Sequence, residues 1–393
     1  MSDAKVAILS AVRTPIGKFL GGLSQVSPVV LGQIAVEEAL RRAKVSPSDI
    51  EEILFGCGIQ AGLGQNPARQ VGLAAGMGVE PGAVTINMVC GSGMKSLMLG
   101  ADSIRLGERK VVLVGGMESM SRAPYLAPGV RLGSRYGDTS LVDAVLQDSL
   151  LDAYDHLHMG RTGEDVARRF GITRDDADAF ALRSNQRAAA ATERGELLRE
   201  IVPVPATVTK GNEVSKDEGF RPDTTREKLS RLKPAFAPDG VLTAGNSSQL
   251  SDGAAALVLA SRDWAEQHGI APIGWVHSAH TSGVPPSRVM ESPIPTVQGH
   301  LKKVGLTIGD LDLVEHNEAF STASIAVQRA LNIPDDRFNV NGGAVALGHP
   351  IGCSGARIVV TLLNAMAHRT SQRGLATLCM GGGNGLSVLI ERP

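Results

Sequence analysis

Cys90 is the residue of this chain with the clearest potential for chemistry. It lies in the string Asn87-Met-Val-Cys-Gly-Ser-Gly93, directly before a segment whose apolar residues recur at helical spacing. A thiol in the first turn of a helix meets unpaired backbone N–H groups and the positive end of the helix dipole, and both favour the thiolate. On this placement alone, Cys90 could be a nucleophile or a buried packing residue.

A histidine in a second glycine-dense string could serve such a thiol as a base. His349 lies between Gly348 and Pro350, at the start of another segment with helical spacing. A histidine held at a helix entrance has a fixed direction, as a base requires. Taken by itself, however, His349 could equally be a loop histidine without a special role.

A second thiol and an amide complete this set. Cys379 begins the string Cys379-Met-Gly-Gly-Gly-Asn-Gly385, in which successive glycine N–H groups could stabilise a developing oxyanion or merely form a turn. Asn317, in His316-Asn-Glu-Ala-Phe320, could hold a water or a carbonyl oxygen, although an ordinary helix start explains the same letters. Two thiols, an imidazole and oxyanion donors suit thioester acyl transfer with formation or cleavage of a carbon–carbon bond.

The composition limits the other classes of function. The chain has 393 residues, a net charge of −1 and 3% aromatic residues, which gives no indication of a nucleic-acid partner or a membrane surface. The four cysteines lie far apart without zinc-ligand spacing, so we expect no metal site. Since no apolar run is long enough for a membrane span and no secretory signal is visible, we expect a cytoplasmic protein.

The elements that must position these groups alternate between strand and helix patterns. Near-continuous apolar strands such as Lys110 to Val114 suit a sheet that is buried on both faces, and the alternation predicts a layered α/β fold. From about residue 119 to 245 the chain has charged helical segments, for example Arg174 to Glu193, and irregular stretches. We interpret these residues as an inserted lid.

The second half of the chain repeats the first in outline. Three pairs of similar strings occur in the same order, namely 49–54 with 310–314, 87–91 with 339–343, and 110–116 with 375–382. Because ordered repeats indicate a duplicated unit, we predict two α/β halves that place Cys90 and Cys379 on opposite sides of one cleft. The predicted domains are an N-terminal half (1–118, completed by about 246–269), the lid (119–245) and a C-terminal half (270–393).

Taken together, the motifs resemble those of the thiolase family. The matching strings are Asn87-Met-Val-Cys-Gly-Ser-Gly93, Asn317-Glu-Ala-Phe320, Gly348-His-Pro350 and Cys379-Met-Gly-Gly-Gly383, with supporting matches at 64–70, 158–160, 244–248 and 252–255. The resemblance covers essentially the whole chain. It implies duplicated α/β units in a layered αβαβα core with an inserted lid.

The resemblance also implies a role for each reactive group. Cys90 would carry the acetyl group, and His349 would accept the proton of its thiol. His349 and a water on Asn317 would stabilise the thioester oxyanion during condensation. Cys379 would remove the α-proton of the second acetyl group, and the amides of Cys90 and Gly381 would form a second oxyanion hole.

The thioesters of this family are held as coenzyme A, which implies an acyl-CoA substrate and no permanently bound cofactor. The residues that the resemblance assigns to coenzyme A are His158, Met159, Arg221, Ala244, Ser248, Ala319 and Phe320. A guanidinium such as that of Arg221 can pair with phosphate or stack on adenine, although Arg221 stands among charged residues that could simply be solvated. Family members are homodimers or homotetramers, and the segment from Met120 to Tyr136 is a candidate assembly loop.

Within the family, we expect the biosynthetic branch, which condenses two molecules of acetyl-CoA into acetoacetyl-CoA and CoA. The alternatives are a degradative 3-ketoacyl-CoA thiolase for longer chains and a thioester- or lipid-binding protein without turnover. Decarboxylating enzymes that act on acyl carrier protein use histidines where this chain has Cys379. The chain departs from the family pattern at Gln249, Ser251 and Asn384, and its segment 289–295 is one residue shorter than in the family. Gln249, Ser251 and segment 289–295 would flank the acyl pocket, so they bear on the length of the acyl chain.

Overall fold

The structure is a computed structural model that describes residues 5–393. Its strands are β1 (Val6–Arg13), β2 (Gly17–Lys18), β3 (Glu52–Gly56), β4 (Gly82–Ile86), β5 (Val111–Ser119), β6 (Tyr125–Leu126), β7 (Val142–Asp143), β8 (Ser251–Ser261), β9 (Gly274–Gly283), β10 (Leu313–His316), β11 (Arg373–Met380) and β12 (Asn384–Glu391). Its helices are α1 (Pro28–Ala43), α2 (Pro67–Ala74), α3 (Ser92–Arg105), α4 (Met159–Phe170), α5 (Arg174–Glu193), α6 (Glu196–Glu200), α7 (Ala206–Thr209), α8 (Arg226–Ser230), α9 (Arg262–Gln267), α10 (Pro293–Val304), α11 (Ser321–Ala330), α12 (Ala344–Leu347) and α13 (Ile351–His368).

The strand order confirms the predicted duplication. In the first half, β1 is antiparallel to β8 and β8 to β5, whereas β5, β3 and β4 run parallel. In the second half, β9 is antiparallel to β12 and β12 to β11, whereas β11 and β10 run parallel, and Val314 of β10 forms a parallel bridge to Phe338. The two halves therefore have the same order and directions, and they meet where β1 pairs with β9.

Helices complete the layers. The outer faces of the two half-sheets are covered by α1 and α2 on one side and by α10 on the other, while α3 and α13 lie between the half-sheets. In α13, 15 of 18 residues are buried, because both half-sheets and α3 pack around it. A Cβ atom on Gly355 would lie 2.5 Å from the backbone nitrogen of Met94, so only glycine allows the two central helices to approach this closely. The predicted αβαβα arrangement is confirmed.

The predicted lid supplies no strand to the large sheet among the described residues. Residues 120–245 form the β6–β7 hairpin and the helices α4 to α8, and α4 packs on α11. The guanidinium of Arg13 on β1 joins this region to the core through Glu200 and Asp217, with N–O distances of 2.6 Å to each. All three side chains are almost completely buried, so loss of one partner would leave an uncompensated charge.

Among residues 5–393, no helix is long and apolar enough to cross a membrane. In the same residues, no group of three or more His, Cys, Asp or Glu side chains could hold a metal ion. Residues 1–4 of the predicted N-terminal half lie outside the described residues.

Candidate active site

Cys90 lies in a strained turn between β4 and α3. The preceding residue, Val89, has φ of +48°, which is unusual for a β-branched residue. The turn is held because the Asn87 side chain accepts a hydrogen bond from the Val89 amide at 3.0 Å, while the Ser92 hydroxyl donates to the Val89 carbonyl at 2.6 Å. Helix α3 begins only at Ser92, so the prediction that Cys90 lies in the first helical turn is wrong by two residues.

His349 contacts Cys90 from the entrance of α13. Its Nε2 lies 3.3 Å from the Cys90 sulfur, and its Nδ1 lies 2.5 Å from the hydroxyl of Ser354. That hydroxyl also lies 2.8 Å from the Pro350 carbonyl, to which it donates its single hydrogen. It must then accept from Nδ1–H, which leaves Nε2 unprotonated and able to accept the proton of the thiol.

Asn317 approaches the same imidazole from the end of β10. Its amide nitrogen lies 3.3 Å from Nε2 of His349, and its amide oxygen lies 3.5 Å from the guanidinium of Arg357. Arg357 is fully buried and also pairs with Glu315 at 3.3 Å. Burial raises the pKa of Glu315 to about 8 despite this cation. Asn317 is therefore oriented from behind by the buried guanidinium of Arg357.

Cys379 reaches the site from the second half of the fold. It is the penultimate residue of β11, it is 2% exposed, and its sulfur lies 3.8 Å from the sulfur of Met290. The following glycine loop faces the Cys90 turn, since a Cβ atom on Gly381 would lie 3.7 Å from Val89. The backbone amides of Gly381 and of Cys90 itself lower the pKa of the Cys90 thiol, as nearby N–H donors do for a group that becomes negatively charged.

Burial controls the protonation of these groups. Burial raises the pKa of the Cys90 thiol well above its ordinary value, and the nearby Cys379 raises it further. The backbone amides of Gly381 and Cys90 lower this pKa, but by a smaller amount. Burial also raises the pKa of Cys379 to about 12 and, helped by Arg357, lowers that of His349 to about 3. The nearby amides favour the Cys90 thiolate, as expected, but desolvation outweighs them. Both shifts favour the uncharged forms, a neutral thiol and a neutral imidazole.

Three neighbouring cavities collect the residues that the sequence assigned to the substrate. The innermost cavity, of about 50 Å³, is lined by Cys90, His349, Cys379, Gly381, Met159, Ser248, Ala319 and Phe320, together with Ser149, Leu150, Val289, Met290, Ile351 and Met380. The second, of about 300 Å³, shares Ser248, Phe320 and His349 with the first and adds His158 and Gln249. The third, of about 170 Å³, shares Gln249 with the second and contains Arg221, Ala244 and Lys228.

The lid residues in these cavities are fixed by local contacts. His158 caps α4 by accepting a hydrogen bond from the Gly160 amide at 3.0 Å, and it stacks on Phe236 with ring centroids 5.0 Å apart. Burial lowers the pKa of His158, which favours the neutral ring. The backbone amide of Ser248 donates a hydrogen bond to the Ala319 carbonyl at 3.1 Å. This bond connects the chain that follows the lid to the wall of the innermost cavity.

Glu118 is a buried residue of this region that sequence reasoning missed. Its carboxylate accepts hydrogen bonds from the amides of Gly58 at 2.9 Å, Ile59 at 3.2 Å and Gly352 at 2.9 Å. Gly58 in turn accepts a hydrogen bond from the Asn87 side chain, whereas Gly352 lies in the first turn of α13. One carboxylate therefore joins the turn of Cys90 to the helix that follows His349, and burial raises its pKa to about 7.

Comparison with known proteins gives a consistent result. The family model "Thiolase, N-terminal domain" matches residues 6–263, and "Thiolase, C-terminal domain" matches residues 270–392. The chain is 45% identical over 391 residues to the acetyl-CoA acetyltransferase of Chromobacterium violaceum, covering 99% of this chain and 100% of the relative. It is 46% identical over 387 residues to that of Escherichia coli, covering 98% of each. A solved structure, the Acat5 thiolase of Ascaris suum in complex with coenzyme A, has a TM-score of 0.94 at 40% identity, covering 99% of this chain and 100% of that one.

Proposed function

The chain belongs to the thiolase family of acyltransferases, and from this premise we propose that it is an acetyl-CoA C-acetyltransferase. In this proposal it converts two molecules of acetyl-CoA into acetoacetyl-CoA and CoA, and the reverse. The observation that carries the proposal is the Cys90–His349 contact of 3.3 Å on a cavity that Cys379 also lines.

In the first step, the Cys90 sulfur attacks the thioester carbonyl carbon of acetyl-CoA and the Cys90 proton moves to Nε2 of His349. The amides of Cys90 and Gly381 stabilise the tetrahedral oxyanion. The bond from the carbonyl carbon to the CoA sulfur then breaks, and the departing thiolate takes the proton of Cys379. The products are acetyl-Cys90, free CoA, an imidazolium and a Cys379 thiolate.

In the second step, the Cys379 thiolate removes an α-proton from a second acetyl-CoA. The enolate oxygen is stabilised by His349 and by a water held on Asn317. The carbanion attacks the carbonyl carbon of acetyl-Cys90, and the bond from that carbon to the Cys90 sulfur breaks. Cys90 leaves as a thiolate and takes the proton back from the His349 imidazolium, which restores the resting protonation states.

Acyl-CoA binding along the three cavities is part of the proposal. Ala319 and Phe320 would hold the acyl group and the pantetheine arm together with Met159, while His158 and Ser248 would hold the arm farther out. Arg221, beside Ala244 in the outermost cavity, would pair with phosphate as a delocalised cation. Coenzyme A enters as part of the substrate, and no permanently bound cofactor is required by these steps.

Intact-mass measurement tests the division of labour between the two thiols. After incubation with acetyl-CoA, we expect the unaltered protein to gain one acetyl group, Cys90→Ala to gain none, and Cys379→Ala to be acetylated slowly without forming acetoacetyl-CoA. Cys353→Ala is the matched control, because this buried thiol lies on the α3-facing core and outside the cavity. Equal acetylation of Cys90→Ala and the unaltered protein would refute the assignment.

Two alternative functions are separated by simple measurements. A degradative 3-ketoacyl-CoA thiolase would cleave a longer 3-ketoacyl-CoA faster than acetoacetyl-CoA, whereas the small innermost cavity favours the short substrate. A thioester- or lipid-binding protein without turnover would bind acetyl-CoA but gain no acetyl group on Cys90.

We further propose a cytoplasmic homodimer or homotetramer. The segment from Met120 to Tyr136, with the residues that follow it, exposes large apolar side chains: Leu132 is 92% exposed, and Tyr125 and Leu141 exceed 60%. Apolar side chains exposed in this number favour contact with another subunit. The molar mass from light scattering during size-exclusion chromatography tests this part, and a monomer at micromolar concentration would contradict it.

A further inference from the structure

The innermost cavity is closed on one side by Met290. This residue is 3% exposed, it lines the cavity beside Val289, and its sulfur lies 3.8 Å from that of Cys379. It belongs to a short 3₁₀ segment, Pro286–Glu291, in which Arg288 departs from helical geometry with φ of −110°. Since methionine is flexible and adapts its shape easily, the position of Met290 depends on what holds this segment.

The next residue, Glu291, holds the segment from the side of the lid. Its side chain is 8% exposed, and its carboxylate pairs with Arg169, in the last turn of α4, and with Arg288 at 2.6 Å. Helix α4 begins at Met159, which lines the same cavity, and it packs against the 3₁₀ segment. We call the three charged residues Arg169, Arg288 and Glu291 the acyl clamp.

The other end of the segment is attached to the glycine loop behind Cys379. The hydroxyl of Ser292 donates to the Asn384 carbonyl at 2.7 Å, and the Asn384 side chain donates to the Ser282 carbonyl at 3.3 Å. Segment 289–295 and Asn384 are therefore in direct contact. They form one unit around the second thiol.

We propose that the acyl clamp sets the acyl-chain length of the enzyme, because it fixes Met290 against Cys379 and prevents the cavity wall from retreating. Glu291 and Arg169 act on the acyl group only through Met290, so they are positioning residues. The inference rests on the proposed function. An apolar pocket discriminates by about 10- to 200-fold for each methylene group that it cannot accommodate, so a fixed wall at this place restricts the acyl group on Cys90 to very few carbons.

The clamp is strong enough for this role because Glu291 is nearly buried. Exposed ion pairs contribute little to stability, whereas removal of a partner from a buried carboxylate leaves a poorly solvated charge. Glu291→Gln removes the charge and keeps the shape, so it should loosen the segment without emptying the site. Arg169→Lys keeps a cation but loses the planar fork of the guanidinium, and we expect a weaker effect in the same direction.

The experiment measures the ratio of the acylation rates of Cys90 with hexanoyl-CoA and with acetyl-CoA, by intact mass in single-turnover conditions. We expect the ratio to rise at least about tenfold in Met290→Ala, to stay near the original value in Met290→Leu, which conserves volume, and to rise severalfold in Glu291→Gln. Glu38→Gln is the matched control, because Glu38 also bridges two arginines, at 2.6–2.7 Å, on α1 away from the cavity. Thermal unfolding of each variant shows whether it is folded, and Met290→Val replaces Met290→Ala where the latter is unstable.

Each outcome decides the question. The proposal is overturned if the unaltered protein is acylated by hexanoyl-CoA as readily as by acetyl-CoA, or if Met290→Leu changes the ratio as much as Met290→Ala. It is also overturned if Glu291→Gln and Glu38→Gln give the same ratio. Because acylation is measured separately from condensation, a protein that is acylated selectively but makes no acetoacetyl-CoA would support the clamp while contradicting the proposed function.

Discussion

The sharpest test of the site concerns Ser354, which no motif drew attention to. Its hydroxyl lies 2.5 Å from Nδ1 of His349 and accepts the hydrogen of that nitrogen, because its own hydrogen is directed to the Pro350 carbonyl. Ser354→Ala removes the acceptor and leaves a buried N–H group without a partner. The imidazole then loses the bond that selects the tautomer with a free Nε2, on which proton transfer from Cys90 depends.

The size of the effect follows from the burial of the pair. Leaving a buried donor unsatisfied costs about 1–3 kcal/mol, and hydrogen bonds to charged groups lie at the upper end of this range. The imidazolium that forms during acylation needs the Nδ1–H acceptor more than the resting ring does. At about 1.4 kcal/mol for each tenfold change, we expect the acylation rate to fall by about 10- to 100-fold in Ser354→Ala.

The assay is single-turnover acetylation of Cys90 by acetyl-CoA, stopped by acid and followed by intact mass. Ser10→Ala is the matched control, since Ser10 also is a buried serine with a 2.7 Å hydrogen bond to a backbone carbonyl, that of Ala39. Both variants should lose a similar amount of thermal stability. An acylation rate in Ser354→Ala within twofold of that in Ser10→Ala would show that the Ser354 contact does not select the tautomer.

Three further predictions use other parts of the structure. Arg13→Met leaves Glu200 and Asp217 buried without their cation, so the free energy of unfolding, measured by urea denaturation, should fall by about 3–5 kcal/mol. Arg41→Met, at an exposed ion pair, is the control and should lower it by less than about 1 kcal/mol. Because burial raises the pKa of Cys90, its alkylation by iodoacetamide should be slow at pH 7 and should rise about tenfold per pH unit through pH 9; a plateau below pH 8 would contradict a neutral resting thiol. Glu118→Gln keeps one acceptor oxygen but turns an NH₂ group toward backbone donors, so the acylation rate should fall by about tenfold, whereas a control Glu→Gln change at an exposed site should leave it unaltered.

Local sequence signals predicted much of the fold. Helix α5 matches its predicted bounds because Thr173 and Asp176 form a capping box at its start. The paired strings also proved to be equivalent: a 3₁₀ turn precedes both β3 and β10, and the 110–116 and 375–382 strings form β5 and β11.

The parts of the site that sequence could not predict depend on contacts between distant residues. Glu118 and Gly352 are 234 positions apart, and nothing near Glu118 in the chain indicates that its carboxylate meets the start of a later helix. The same holds for the protonation of Cys90. A helix-start pattern reports the local dipole, whereas the pKa is dominated by desolvation, which depends on everything that packs around the sulfur.

The raised pKa of both thiols fits the proposed reaction better than a preformed thiolate would. A Cys379 thiol with a pKa of about 12 is neutral at pH 7, so it can donate a proton to the CoA thiolate that leaves in the first step. Once it has done so, the same desolvation makes its thiolate a strong base, as removal of a weakly acidic α-proton demands. In the proposed reaction Cys90 does not need this basicity, because His349 lies within hydrogen-bond distance and can take its proton. The surroundings of the two thiols thus suit two different roles in the proposed reaction. Cys90 has a neighbouring imidazole that accepts its proton, whereas Cys379 becomes a base only after the leaving CoA thiolate has taken its proton.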